Sequence, residues 1–388
     1  MADPWLSVIG LGEDGLSGLP GASLQALARA ELVFGAPRHL ELAGVGDRGR
    51  TWPVPFDLAP LLAMRGRPVA ALVSGDPFWH GAGSPIAEAL RPGEWAAYPV
   101  PGTFSLAAAR MGWRIEATLC LGLHAAPFTR LRPHLRQGLQ AILLLRDAAA
   151  VRDLAAWLDG ADWGRSTMTV MERLGGPLER LRNAQAHGFT LEGIAAPVAV
   201  SLVALGGDAL AAVPGRDENL FHHDGQITKS LIRAMTLAAL APHAGQMLWD
   251  LGAGSGSVSV EWALAGGRAA AVELCEDRAA NIRANALQFG VDDRLAVTVA
   301  ASLDALSSLP RPDAIFVGGG FSADLFARLP PARLVVNAVT LETSALLERL
   351  HAAHGGTLMR IDIARAEPLG RSQAWAPQRP LVQWVRAT

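Results

Sequence analysis

The chain has 388 residues, half of them apolar and 18% charged, with a formal net charge of −2. That length exceeds one ordinary core and suits about two domains, and the near-neutral charge without basic runs leaves no electrostatic footprint for nucleic acid. No run of about 18 uncharged apolar residues occurs and no basic-then-apolar leader opens the chain, so a cytoplasmic protein with no membrane partner is expected.

Only Cys120 and Cys275 are present, too few for a disulfide framework or a thiolate metal site, and both are expected to be small buried residues. The histidines show no His-Glu-x-x-His arrangement and the His222-His223 pair lies in a polar stretch, so no metal is expected. Neither a Gly-x-Ser-x-Gly elbow nor a Walker lysine loop occurs, which argues against a hydrolase or a P-loop NTPase.

In chain order, residues 5–15 read as a strand followed by a glycine loop, in which Gly10, Gly12 and Gly15 match the dinucleotide spacing. A Rossmann acid should close the second strand, whereas Glu31 opens the next apolar run, residues 32–34, and this weighs against NAD. Residues 69–73 form a buried strand ending at Ser74-Gly75-Asp76-Pro77. Residues 95–100 form a further strand, ending at Pro101-Gly102-Thr103-Phe104-Ser105 and leading into a helix over 106–111. Both loops lie at strand C-terminal ends, where open α/β sheets bind ligands, although Asp-Pro and Pro-Gly are also ordinary turn signals. Strands over 141–145, 167–171 and 198–205 make a second lobe. Residues 206–225 are rich in Gly, Asp and His with poor periodicity, which places a linker there between domains 1–205 and 226–388.

The second half opens with Gln226-Ile227-Thr228-Lys229 and a helix to about residue 241. Residues 247–251 then form a short strand, and Gly252, Gly254 and Gly256 make a turn before a helix whose inner face begins with Val258, Trp262 and Ala263. Glycines at such a turn let backbone N–H groups approach a ligand at the positive end of the helix. The third glycine arrives one residue too early for a dinucleotide fingerprint, and Asp250 precedes the first by two. That Asp-x-Gly-x-Gly-x-Gly order resembles class I S-adenosylmethionine (SAM) methyltransferases, with Ala253 and Ser255 inside the loop. Residues 269–272 form the next strand and end in Glu273, which lies 21 residues beyond Gly252; a carboxylate there can accept both ribose hydroxyls. Strands over 297–299, 313–317 and 334–337 follow, and 357–363 with 381–385 suit a closing antiparallel pair.

With these motifs in view, the whole chain resembles the fused precorrin-6B (precorrin-6Y) C5,15-methyltransferases of cobalamin biosynthesis. The N-terminal half is similar to class III tetrapyrrole methylases through Val8-Ile9-Gly10-Leu11-Gly12-Glu13-Asp14-Gly15, Gly35-Ala36-Pro37-Arg38-His39-Leu40, Ser74-Gly75-Asp76-Pro77-Phe78 and Val100-Pro101-Gly102. The C-terminal half is similar to the decarboxylating partner through Gly225-Gln226-Ile227-Thr228-Lys229, the loop from Asp250 to Gly256, Asp313-Ala314-Ile315-Phe316-Val317-Gly318-Gly319 and Asn337-Ala338-Val339-Thr340-Leu341-Glu342-Thr343. The resemblance implies a two-lobed class III α/β fold followed by a Rossmann-like class I α/β fold, with SAM as cofactor in both. It assigns the N-terminal cofactor site to Gly10, Ser74, Gly75, Asp76, Trp79 and Ser105. It assigns the C-terminal one to Thr228, Gly252, Ala253, Gly254, Ser255, Gly256, Glu273 and Ser302. In one departure, Glu13-Asp14-Gly15 stands where many tetrapyrrole methylases have Gly-Pro-Gly. The implied reaction methylates precorrin-6B at carbon 5 with the N-terminal half and at carbon 15, with loss of the ring C acetate carboxyl, with the C-terminal half. A homo-oligomer is implied as well.

Methyl transfer from a sulfonium to an electron-rich carbon needs positioning more than acid or base chemistry, so no catalytic residue is assigned. A substrate rich in carboxylates calls for arginines, and Arg365, Arg371 and Arg379 are candidates, although each reads more readily as solvated surface. Two other function classes stay open: a two-domain NAD(P)-dependent oxidoreductase using the Gly10 to Gly15 loop, and a binding or regulatory protein whose methylase-like half does not catalyse.

Overall fold

A computed structural model describes residues 4–387. The chain divides into two compact bodies, the first of residues up to 126 with 135–208, the second of 127–134 with 209 onward.

The first body holds two sheets. Strands β1 (Leu6–Leu11), β2 (Leu32–Gly35), β3 (Gly49–Thr51), β4 (Val69–Ser74) and β5 (Trp95–Tyr98) are all parallel, in the order β3-β2-β4-β1-β5. Alternation along the strands sends Ile9, Leu11, Ala70 and Leu72 to one core and Leu6, Val8, Ala71 and Val73 to the other, as a parallel sheet covered on both faces requires. The loops after β1, β4 and β5 converge: Gly75 donates its N–H to the Leu11 carbonyl, and its own carbonyl accepts from Val100. A side chain at Gly10 would overlap the Gly75 carbonyl, so the first glycine of the β1 loop is needed for strand-end packing.

The second sheet of this body has strands β6 (Leu119–Gly122), β7 (Gln140–Leu145), β8 (Thr167–Glu172), β9 (Arg180–Gln185) and β10 (Val198–Val203), in the order β6-β7-β10-β8-β9. Only β6 and β7 are parallel; the remaining pairs are antiparallel. The edge strand β9, Arg-Leu-Arg-Asn-Ala-Gln, lacks the apolar pattern by which a strand is read, and it forms because Arg180 and Arg182 reach Glu172, 1% exposed, on its neighbour.

The second body is built on one seven-stranded sheet. Its strands are β11 (Met247–Leu251), β12 (Arg268–Glu273), β13 (Leu295–Val299), β14 (Ala314–Val317), β15 (Arg333–Ala338), β16 (Thr357–Ile361) and, after an exposed hairpin of β17 (Ala364–Leu369) and β18 (Ser372–Pro377), β19 (Leu381–Arg386). The order is β13-β12-β11-β14-β15-β19-β16, parallel as far as β15, with β19 antiparallel to both β15 and β16. The closing antiparallel pair read from the sequence is present, and the hairpin between its strands went unread. The helix Ser257–Leu264 is buried all round, seven of its eight residues, so the inner face read from Val258, Trp262 and Ala263 is only part of what it buries.

The segment 206–225, expected to be a linker, packs onto the second body from residue 209. Phe221 enters its core, with its ring 4.7 Å from that of Phe289. Arg216 is buried as well, and its backbone N–H donates to Glu261.

Candidate cofactor and substrate sites

In the second body, a cavity of about 870 Å³ opens at the C-terminal ends of the parallel strands. Gly252, Ala253, Gly254, Glu273, Ser302 and Thr228 all line it. Gly252 and Gly254 both have positive φ, +68° and +59°, and a Cβ on Gly252 would stand 2.6 Å from the Gly319 carbonyl oxygen. The turn therefore carries bare backbone to the cavity wall. Glu273 is 6% exposed; its carboxylate accepts from the Gly254 N–H at 2.8 Å and the Cys275 N–H at 3.0 Å. Two accepted bonds leave a carboxylate further lone pairs for a diol. Ser255 and Gly256 do not line the cavity: Ser255 is 2% exposed, and Gly256 packs against Ile282, which a Cβ would meet at 2.6 Å.

Behind the loop, Asp250 is fully buried. One of its oxygens accepts from the Ser259 hydroxyl at 2.6 Å and backbone N–H at 3.2 Å, while Oδ1 has no partner among the described residues. Burial pushes its carboxyl up from 3.8 to about 6, the Ser259 bonds oppose the shift, and the charge of Glu273 adds to it. Thr228 is fixed from below: its carbonyl accepts from Arg233, a fully buried guanidinium paired with Glu261 at 3.0 Å and stacked over Phe221.

In the first body, a smaller cavity of about 250 Å³ is lined by Ser74, Gly75, Asp76 and Trp79, together with Glu13, Arg38 and residues of the second sheet such as Leu144 and Met171. Asp76 caps its own loop, accepting from the Phe78 N–H at 2.9 Å, and the Trp79 ring lies 4.9 Å from that of Phe104. Gly10 and Ser105 are not on the wall: Gly10 lies under Gly75, and Ser105 falls within the first turn of the helix Thr103–Met111, which begins earlier than its apolar run suggests. Arg38 forms an ion pair with Glu13 and donates to the Ser74 hydroxyl at 3.3 Å. The buried His39 lies 2.9 Å from that hydroxyl, and burial with the adjacent Arg38 charge lowers it to about 4, so it is neutral at physiological pH.

A family model described as Precorrin methyltransferase domain matches residues 219–388, and one described as Tetrapyrrole (Corrin/Porphyrin) Methylases matches residues 6–187. A Sinorhizobium protein named precorrin-6Y C(5,15)-methyltransferase (decarboxylating) is 42% identical over 400 residues, covering 99% of this chain and 96% of that one. The chain belongs to the precorrin-6Y C(5,15)-methyltransferase (decarboxylating) family. A Pyrobaculum calidifontis protein named probable cobalt-precorrin-6B C(15)-methyltransferase (decarboxylating) is 33% identical over 183 residues, 44% of this chain and 94% of its own. Among solved structures, the C-terminal domain of precorrin-6Y C5,15-methyltransferase from Rhodobacter capsulatus is 54% identical, spanning 45% of this chain and 98% of that one with a TM-score of 0.45.

Within this family member, reading the sequence missed several cavity residues. Arg278, Asn337 and Gln378 line the larger cavity; Asn337 was quoted for resemblance without a role, and the three reach the wall from a helix, from β15 and from the loop after β18, far apart in sequence. Of the three tail arginines, only Arg379 is on that wall; Arg365 and Arg371 belong to the exposed hairpin and its turn. Glu13, Arg38 and His39 were quoted for resemblance without a role, and the structure brings them together around Ser74. Cys275, expected to be buried, is exposed, because it caps the helix Glu276–Gln288 at the open end of the sheet; Cys120 is half-buried. Among the described residues, no helix is long and apolar enough to cross a membrane, and no cluster of metal-ligating side chains occurs.

Proposed function

We propose that the chain uses SAM to methylate precorrin-6B at carbons 5 and 15 and removes the carboxyl of the ring C acetate, a step of cobalamin biosynthesis. Near-full-length identity to a protein bearing both activities in its name carries this reading. An oxidoreductase built on Gly10 to Gly15 finds no support, since Gly10 is consumed in strand packing.

The larger cavity suits the cofactor through features of its own: glycine backbone brought to the wall, a buried carboxylate with lone pairs to spare, and the Thr228 backbone held from beneath. SAM, when bound there, supplies an electrophilic methyl. The residues' work is to align that methyl with the acceptor carbon and to keep water away, which can account for a large part of the barrier in a reaction needing little proton transfer. Glu273 would take the ribose hydroxyls, with Thr228, Gly252, Ala253, Gly254 and Ser302 beside it. Ser255 and Gly256 would act by shaping the turn. In the smaller cavity Ser74, Gly75, Asp76 and Trp79 would hold the second SAM, with Gly10 and Ser105 supporting the wall from behind.

We assign carbon 5 to the N-terminal domain and carbon 15, with decarboxylation, to the C-terminal one. The short Pyrobaculum protein supports two separable activities: less than half of this chain covers almost all of it, and its name carries the C(15) and decarboxylating parts alone. Domains 1–205 and 226–388 are proposed, with 209–225 packed onto the second, and a homo-oligomer is proposed as well. Mass spectrometry of the precorrin-6B reaction tests the function, expecting two added methyls and one lost carbon dioxide. Titration with S-adenosylhomocysteine should count two sites per chain; a stoichiometry of one, unchanged on deleting residues 1–205, removes the N-terminal site.

A further inference from the structure

A polar cluster lies beneath the larger cavity, where a hydrophobic layer would be the default. Asn337, at the C-terminal end of β15, lines the cavity and is 8% exposed. Its Nδ2 donates to the Thr236 hydroxyl at 2.9 Å, and its Oδ1 accepts from Gln383 Nε2 at 2.9 Å. Gln383 Nε2 also lies 3.3 Å from the Thr236 hydroxyl. Thr236 and Gln383 are fully buried, and Gln383 Oε1 has no partner among the described residues. A buried unsatisfied acceptor costs roughly 1–3 kcal/mol, so this arrangement is poor as a device for stability alone. What it achieves is to lock the Asn337 amide from a helix and a neighbouring strand while leaving one N–H and one lone pair uncommitted.

The same cavity wall carries three cations: Arg278, paired with Asp224 at 2.8 Å, and Lys229 and Arg379, neither of which has an ion-pair partner among the described residues. Near Asn337 the wall is apolar, with Ile232, one turn before Thr236 on the same helix, and Val339 and Leu381 flanking the ends of β15 and β19.

The neutrality of the Asn337 amide matters for decarboxylation. The bond between the acetate methylene and its carboxyl carbon breaks heterolytically, the electron pair passes into the conjugated macrocycle, carbon dioxide leaves, and a proton from water then converts the methylene to a methyl. Negative charge leaves the carboxylate as the transition state forms. A cation on that group would stabilise the ground state more than the transition state and slow the step, whereas a neutral amide in an apolar wall positions it at little such cost.

Resting on the function proposed above, we infer that Asn337 seats the acetate carboxyl that is lost, that Thr236 and Gln383 are its positioning residues, and that Lys229 and Arg379 take carboxylates that remain on the substrate. Ring C then faces the Asn337 side of the cavity.

Asn337→Asp tests it in the full-length protein, because it keeps the shape and can accept from the Thr236 hydroxyl while setting a negative charge against the carboxylate. At subsaturating precorrin-6B, carbon dioxide release (kcat/KM) should fall by roughly a hundredfold or more because the charge repels the carboxylate from its seat, with S-adenosylhomocysteine affinity unchanged. Gln383→Met, which keeps volume and removes the amide lock, should lower release by roughly tenfold and provides the test if the Asp variant does not fold. Release within threefold of wild type in the folded variants overturns the inference, as does a loss matched by weaker S-adenosylhomocysteine binding. A wild-type protein that releases no carbon dioxide refutes the proposed function instead, so the two failures are distinguishable.

Discussion

Asp250→Asn should stabilise the C-terminal body at neutral and alkaline pH. The wild-type carboxyl is fully buried, with its folded value raised from 3.8 to about 6. A raised carboxylate favours the protonated form in the fold. Its contribution to stability is thus whole below pH 3.8 and is lost as pH rises through about 6, after which the full cost of the buried charge is present. The gap of about 2 units corresponds to about 3 kcal/mol. Asparagine removes the charge and keeps an acceptor for Ser259, but its amide nitrogen would occupy the place of Oδ1, which has no partner. That orphan donor takes back about 1–2 kcal/mol, leaving a net gain of about 1–2 kcal/mol at pH 8. Hydrogen exchange on peptides covering β11 and β12, read by mass spectrometry, reports this locally without requiring the whole chain to unfold in one step. The gain should shrink to zero or below by about pH 4. Weaker protection of Asp250→Asn at pH 8, or a gain that does not change with pH, would refute the assignment of a buried, charged carboxylate at this position.

Glu273→Ala should weaken S-adenosylhomocysteine by about ten- to a hundredfold or more, as expected for charge-assisted bonds worth roughly 1.5–3 kcal/mol each, and carbon-15 methylation should fall with it; calorimetry showing unchanged affinity would remove Glu273 from the site. Asp76→Ala should spare carbon 15 and suppress carbon 5, accumulating a product with one added methyl and the carboxyl gone, and retention of both methylations would void the division between halves.

The organising elements were legible in the sequence because they rest on local rules. Fully buried parallel strands read as apolar runs, as β4 and β11 do, and glycine turns with positive φ leave their mark as glycine spacing, as from Gly252 to Gly256. Glu273, which lines the cavity, could be singled out because its place follows from counting along one βαβ unit. What escaped depends on partners remote in sequence. The strand β9 exists because two arginines reach a buried glutamate on β8, and 209–225 joins the second body because Phe221 and Arg216 find Phe289 and Glu261. Likewise, the amide of Asn337 is fixed by a threonine 101 positions before it and a glutamine 46 after it. Motif spacing reports the local backbone, and the backbone carried the glycine loops to the cavity walls; which polar side chains meet beneath those walls was decided only by tertiary packing, because a buried polar group must find its hydrogen bonds wherever the fold places a partner.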